Sequence, residues 1–162
     1  MRYAKGYLIR DQVNSPEFFA YTGFLMSFPW EWFVTLAFPI EENAGPVKTK
    51  MRRLWFTRKL CTVERIQVGY FYVEAAQGNF SHIHMLMLGR RIRYGFTKTL
   101  DLVSRSFWES FWKHQTKVEK PVSISSLATY CVAHIHNPKY DWVDDGFYNL
   151  KLLKKCKMGS FK

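Results

Sequence analysis

The sequence is poor in acidic residues, in cysteine and in long apolar runs, and each shortage excludes a class of protein. Its 162 residues include 13 Asp and Glu against 24 Lys and Arg, a formal net charge of +11. Cys61, Cys131 and Cys156 are too few and too widely spaced for a disulfide framework or a paired-cysteine metal site. No apolar run approaches the roughly 20 residues that cross a bilayer, and no apolar signal segment follows the first residues. We therefore expect a soluble, cytoplasmic protein whose basic surface favours nucleic acid.

No internal repeat, low-complexity stretch or Gly/Ser-rich linker divides the chain, so its length predicts a single domain. We divide it into an N-terminal arm (1–30), a core that carries the motifs (31–136) and a basic C-terminal tail (137–162). The phosphate-binding loop Gly-x-x-x-x-Gly-Lys-Ser/Thr is missing, so we expect no helicase domain.

Alternating strand and helix patterns predict an α+β fold, with a central antiparallel sheet of about five strands flanked by helices. Strands are predicted over 32–38, 66–75, 82–88 and 118–124. Helices are predicted over 47–63, over 97–112, from Ser125 or Ser126 to 135, and in the tail after Gly146. The arm carries no clear period, and we expect it to be irregular or partly helical.

The segment His82-Ile83-His84 places two imidazoles on one face of a strand, because successive side chains alternate between faces. If the preceding hairpin is centred on Gly78, Glu74 lies opposite His82 with Cβ atoms about 5 Å apart. Two imidazoles and a carboxylate would then converge as ligands for a divalent metal. A slip of one residue would send Glu74 to the other face. The residues expected to anchor this strand from behind are Ile83, Met85 and Met87.

Two further groups of residues are candidates for function. Tyr130 and His134 are four residues apart on a predicted helix and share a face. A tyrosine on an apolar helix is ordinarily a core residue, and two histidines on a strand are often incidental, so each motif has a structural explanation when taken alone. The residues predicted to contact a DNA backbone are Lys48, Lys50, Arg52, Arg53, Arg90, Arg91 and Arg93.

Taken together, the order of these motifs resembles that of the HUH endonucleases. An early strand of the type Phe33–Phe38 is followed by Glu74, a glycine turn, His82-Ile83-His84 and then Tyr130 on a later helix. Within that superfamily the chain is most similar to the rolling-circle replication initiators (Rep proteins) of small plasmids and viruses. The resemblance covers roughly residues 31–136 and implies an RRM/ferredoxin-like sheet.

The resemblance also implies roles for particular residues. Glu74, His82 and His84 would bind Mg²⁺ or Mn²⁺, and Tyr130 would be the nucleophile. Relatives often have a lysine three residues after this tyrosine, where this chain has alanine. We expect His134 to take over the lysine's task of orienting the phosphate or a metal-bound group.

The implied activity is nicking and joining of single-stranded DNA, or of a hairpin origin, through a 5′-phosphotyrosine intermediate. A host polymerase and a host helicase are the implied partners, and the oligomeric state is left open. Tyr140 is the alternative nucleophile. Three other functions remain open: a single-tyrosine HUH transposase, a zinc hydrolase that uses the same three ligands without Tyr130, and a non-catalytic nucleic-acid-binding α+β module.

Overall fold

The computed structural model describes residues 15–63, 66–91, 108–109 and 115–157. Five antiparallel strands form one sheet in the order β4-β1-β3-β2-β5. The strands are β1 (Trp32–Ala37), β2 (Ile66–Gln77), β3 (Phe80–Arg91), β4 (Gln115–Glu119) and β5 (Trp142–Tyr148). The α-helices are α1 (Pro16–Met26), α2 (Pro46–Val63), α3 (Ile124–Ile135) and α4 (Leu150–Lys157). The predicted α+β class, with a central antiparallel sheet flanked by helices, is confirmed.

Side-chain caps define where two of these helices begin. The Ser15 hydroxyl accepts a hydrogen bond from the Phe18 N–H at the start of α1, where Pro16 occupies the first turn. Ser123 caps α3 in the same way, two residues earlier than the first cap position predicted from the sequence. Among the described residues, no helix is both long and apolar enough to span a membrane.

The central strand β3 separates two hydrophobic cores, one on each face of the sheet. The face that carries His82 and His84 packs against α1, α3 and α4. The other face packs against α2, which contributes Phe56 and Leu60. The predicted anchoring residues of β3 are buried in this second core: Ile83, Met85 and Met87. Each histidine is therefore held in place by apolar neighbours on the strand that point the opposite way.

The arm, expected to be irregular or partly helical, contains helix α1 in the part that the structure describes. The structure differs from the prediction most clearly at two strands. Strand β4 begins three residues before the predicted strand. The edge strand β5 was not predicted at all, because Asp144, Asp145 and Gly146 are residue types that strands disfavour. The predicted helix 97–112 lies outside the described residues, except for 108–109.

Candidate metal and tyrosine site

Three histidines from two different elements converge on one face of the sheet. His82 and His84 extend from β3 and His134 extends from α3, and one ring nitrogen of each lies within 4.8 Å of those of the other two. All three side chains are buried, with 7%, 5% and 9% of their surface exposed. The neighbours of His82 on the adjacent strands are the small residues Ala37 and Ala75. Within the described ranges, this group has the ligand types and spacing to hold a metal ion.

A hydrogen bond determines which nitrogen of the His134 ring carries the proton. His134 Nδ1 lies 3.0 Å from the carbonyl oxygen of Tyr130. Because a carbonyl can only accept, Nδ1 donates and Nε2 keeps its lone pair. His84 Nδ1 lies 3.0 Å from Thr35 Oγ1, and its Nε2 lies 3.3 Å from Tyr130 Oη. His82 Nδ1 is buried and has no hydrogen-bond partner among the described residues. Histidines that bind metals are typically fixed by a hydrogen bond at the second ring nitrogen in this way.

Burial keeps the three imidazoles neutral. It lowers the pKa of His82 to about 4, with His134 as a smaller cause. Burial, followed by the two neighbouring histidines, lowers the pKa of His84 well below its usual value. The pKa of His134 is also lowered by burial, against the opposing effect of its hydrogen bond to the Tyr130 carbonyl. Neutral imidazole is the form that binds a metal ion, so no proton has to leave the site at neutral pH.

Tyr130 lies one helical turn before His134, and its hydroxyl reaches the histidine group. The Tyr130 ring centroid lies 4.2 Å from that of His134 and 5.2 Å from that of His84. Phe33 stacks on His84 with ring planes 13° apart and meets Tyr130 edge to face. Tyr130 is half-buried, so its hydroxyl lies at the rim of the site. The predicted common face of Tyr130 and His134 is confirmed.

A second tyrosine, Tyr140, lies beside the same group. Its ring centroid is 5.6 Å from that of His82 and 5.4 Å from that of His134. Asp141 attaches this connection to the β2–β3 hairpin, because its N–H donates to the Ala76 carbonyl at 2.8 Å and its carboxylate accepts from the Gly78 N–H at 2.7 Å. Burial raises the pKa of the Tyr140 hydroxyl. Both tyrosines that the sequence marks as candidate nucleophiles therefore lie at one site.

Glu74 is not part of this site, and its predicted role as a metal ligand is wrong. The hairpin has a two-residue loop instead of being centred on Gly78, so Ala75 lies opposite His82. Glu74 lies opposite Ile83. This shift of one residue places the carboxylate on the other face of the sheet.

Glu74 instead forms a buried ion pair with Arg53 of α2. Arg53 is 2% exposed and Glu74 is fully buried, and Arg53 Nε donates to Glu74 Oε1. The guanidinium also lies 3.5 Å from the centre of the Tyr72 ring and 3.3 Å from Tyr70 Oη. Burial raises the pKa of Glu74, and Arg53 opposes this rise. The predicted contact between Arg53 and a DNA backbone is therefore wrong, because its guanidinium is enclosed in the core.

The other predicted DNA contacts on α2 do not face the histidines. Lys48 and Arg52 form ion pairs with Glu42, at 3.0 Å and 3.5 Å. Lys50 is exposed. All three cations lie on a helix that packs against the other face of the sheet. A DNA strand bound at the histidines would therefore not contact them directly.

Two of the predicted contacts after the histidines have backbone positions at the far end of β3. Arg90 and Arg91 are the last two residues of β3. At about 3.3 Å per residue, Arg90 is roughly 20 Å along the strand from His84. Arg93 lies outside the described residues.

Two residues of the site were not predicted from the sequence. Thr35, which holds His84 Nδ1, is the one hydroxyl residue in an otherwise apolar strand, and that contrast is a usable signal. Phe80 stacks on His82 with ring centroids 5.5 Å apart and keeps 42% of its surface exposed. Its position at a turn gave no indication of this contact.

No protein-family model, curated protein or solved structure matches the chain. The assignment of a function therefore depends on the geometry described above and on the order of the motifs.

Proposed function

We propose that the protein nicks and rejoins single-stranded DNA in a metal-dependent reaction, through a covalent phosphotyrosine at Tyr130. The observation that carries this proposal is the Tyr130 hydroxyl at the rim of three buried, neutral histidines. A nucleophile beside a metal-binding group is an arrangement suited to phosphoryl transfer. The formal charge of +11 supports a polyanionic substrate. A role in starting rolling-circle replication, with a host polymerase and helicase, is supported only by the resemblance of the motif order to that of Rep proteins.

The residues present fit a divalent metal ion. His134 keeps the lone pair on Nε2, His84 belongs to the same group of ring nitrogens, and His82 Nδ1 is a buried nitrogen without a partner in the described ranges. A metal bound by these three side chains supplies a Lewis acid, which polarises the scissile phosphate and takes up charge that develops on its oxygens.

Tyr130 supplies the nucleophile. Its Oη forms a bond to phosphorus while the bond from phosphorus to the 3′ oxygen breaks; the phenolic proton leaves to water, and the departing 3′ oxygen takes up a proton from water. A neutral phenol with a pKa near 10 is a weak nucleophile, so this proton must leave as the attack proceeds. The products are a 5′-phosphotyrosine and a free 3′ hydroxyl. The phosphodiester energy is retained, so a hydroxyl can reverse the step and join strands without a nucleotide cofactor.

Packing of the surrounding side chains holds the helix that carries Tyr130. Helix α3 is anchored in the core by one stripe of apolar residues, namely Leu127, Ala128, Cys131 and Val132. The bond between His134 Nδ1 and the Tyr130 carbonyl connects the two functional residues of this helix. The exposed ring of Phe80 offers a stacking surface for an unpaired base at the edge of the site.

A covalency assay tests the proposal. The protein is incubated with a diverse pool of labelled single-stranded DNA and Mn²⁺, and the products are separated on a denaturing protein gel. We expect a metal-dependent shifted band in the wild type, lowered by at least about 100-fold in Tyr130→Phe and in His82→Ala/His84→Ala. Tyr72→Phe is the matched control, because Tyr72 lies on the other face of the sheet.

The same assay separates the other possibilities. Loss of the band in Tyr140→Phe but not in Tyr130→Phe would move the nucleophile to Tyr140. Tight DNA binding without an adduct on a diverse pool would remove the enzyme proposal in favour of a non-catalytic binding module.

One observation favours a second candidate, a zinc hydrolase. Three histidine ligands are a donor set found in catalytic zinc sites. Such an enzyme would cut DNA without forming an adduct, and its activity would not depend on the Tyr130 hydroxyl. Cleavage that persists in Tyr130→Phe would support it.

A further inference from the structure

The donor set of the site is entirely nitrogen. The group comprises His82, His84 and His134, and no carboxylate of the described residues belongs to it. Glu74, the only carboxylate that the motif order offered, is held by Arg53 on the other face of the sheet. Mg²⁺ prefers oxygen ligands and gives up its water reluctantly, whereas imidazole suits Zn²⁺ and the late first-row ions. The chemistry of these donors therefore disagrees with the Mg²⁺ that the resemblance implies.

The three donors come from two separate elements of the fold. His82 and His84 are on β3, in the middle of the sheet, and His134 is on α3. A ligand shared by all three rings would connect the helix to the sheet at a point one turn after Tyr130. His134 is also bonded through Nδ1 to the Tyr130 carbonyl, so a constraint on its ring acts on that residue directly.

We infer that the site selects a late transition-metal ion, Zn²⁺ or Co²⁺, over Mg²⁺, and that the bound ion ties α3, with Tyr130 on it, to strand β3. This inference concerns the same site as the proposed function, but it depends on the donor set and not on the nicking reaction. His134 is then a metal ligand instead of a substitute for the phosphate-orienting lysine. When bound, the ion would contact the scissile phosphate and would also fix the position of Tyr130, the proposed nucleophile.

Metal titrations of the chelator-treated full-length chain test the inference. The probes are ZnCl₂, CoCl₂, MnCl₂ and MgCl₂, and the readouts are the thermal unfolding midpoint and, for Co²⁺, the visible absorption of the bound ion. We expect dissociation constants for Zn²⁺ and Co²⁺ at least about 100-fold below that for Mg²⁺, with Mn²⁺ between them. Amide hydrogen exchange in α3 should slow when Zn²⁺ is added.

Variants of the third ligand make the test specific. His134→Ala should weaken Zn²⁺ binding by at least about 10-fold and abolish the metal-dependent protection of α3. His136→Ala is the matched control and should behave as wild type, since His136 is an exposed histidine at the end of the same helix and lies outside the group. His134→Glu supplies one oxygen donor and should reduce the difference in affinity between Zn²⁺ and Mg²⁺. This variant keeps the inference testable if the alanine variant folds poorly.

Equal affinity for Mg²⁺ and Co²⁺ in the wild type would overturn the inference. So would a His134→Glu variant that shows the wild-type gap between the two ions, or zinc binding that leaves exchange in α3 unchanged. The inference and the proposed function can fail separately. Selective zinc binding without a DNA adduct would support the inferred metal site and contradict the proposed nicking activity. An adduct that forms equally well with tightly bound Mg²⁺ would support the nicking activity and contradict the inference.

Discussion

Each face of the sheet buries a polar cluster that includes residues of the β2–β3 hairpin, but one cluster pairs opposite charges and the other groups neutral rings. On the α2 face, Glu74 meets Arg53, and two opposite charges are enclosed together with hydroxyl and aromatic partners. On the α3 face, three neutral imidazoles lie together, each with one ring nitrogen within 4.8 Å of those of the other two, and one buried nitrogen of His82 has no partner among the described residues.

This difference indicates a structural role for the cluster on the α2 face and a functional role for the proposed site on the α3 face. A buried ion pair contains its own counter-charge, and its usual role is to fix the packing of the elements that carry it. Among the described residues, Glu74 Oε2 and His82 Nδ1 are both buried without a hydrogen-bond partner, but the histidine group alone has the ligand types and spacing for a metal ion. The proposed metal and substrate therefore belong to the α3 face. Four predictions test this contrast, from the largest expected effect to the smallest.

Breaking the ion pair should have the largest effect on stability. Arg53→Ala leaves Glu74 buried without its counter-charge, and we expect the free energy of unfolding to fall by about 3–5 kcal/mol. Chemical denaturation of the metal-free protein measures this. The double variant Arg53→Met/Glu74→Leu removes both charges, and it should remain within about 1 kcal/mol of wild type and keep adduct formation. An adduct lost in this folded double variant would contradict the separation of the two faces.

Acidification should destabilise the α3 face. The pKa of His82 is about 4 in the folded protein against 6.5 when unfolded, so between these values the unfolded chain binds a proton that the folded chain does not. Stability is then fully present above pH 6.5 and is lost as the pH falls toward 4, by about 3 kcal/mol from this residue. Denaturation of the metal-free protein across this range measures the loss.

His82→Gln should reduce the pH dependence of stability between 6.5 and 4, because it removes one of the three buried histidines whose pKa is lowered in the folded protein. The same slope in His82→Gln as in wild type would mean that His82 is not buried in its neutral form.

Removing the hydroxyl that holds His84 should weaken metal binding. In Thr35→Val, His84 Nδ1 loses its partner at 3.0 Å, and we expect the affinity for Zn²⁺ to fall by about 10–100-fold. Thr57→Val is the matched control, because the Thr57 hydroxyl bonds Tyr70 on the other face. Isothermal titration of both variants makes the comparison, and equal losses in the two would contradict the role given to Thr35.

The smallest expected effect concerns the start of the tyrosine helix. Ser123→Ala removes the hydroxyl that accepts the Ser126 N–H, at a cost of about 1 kcal/mol in the free energy of unfolding. Glu42→Gln, which weakens partly exposed ion pairs beside α2, should change it by less than about 1 kcal/mol. Denaturation curves of the two variants at neutral pH decide the order, and a larger loss in Glu42→Gln would reverse it.

Much of the candidate site follows from periodicity in the sequence. The alternation in His82-Ile83-His84 correctly puts both imidazoles on one face, because a strand has a period of two residues. The spacing of four between Tyr130 and His134 correctly puts both on one face of a helix. These patterns depend only on local backbone geometry, which is why they could be predicted without a structure.

The wrong predictions are those that inferred the surroundings of a side chain from a local sequence pattern. Glu74 was placed beside His82 on the assumption that the turn is centred on Gly78, whereas a two-residue loop with a positive φ at Gly78 shifts the pairing by one residue. Arg53 belongs to a run of basic residues and was expected at the surface. Its burial depends on the carboxylate of Glu74 arriving from another element.

The sequence by itself determined the class of fold, the strand with its two histidines and the helix with its tyrosine and third histidine. It did so because hydrophobic periods of 2 and 3.6 residues record which side of each element is buried. Only the tertiary structure decided that His134 completes the group and that Glu74 leaves it. The physical reason is that hairpin register and helix docking are set by the packing of whole faces, and a shift of one residue exchanges a possible metal ligand for a buried ion pair.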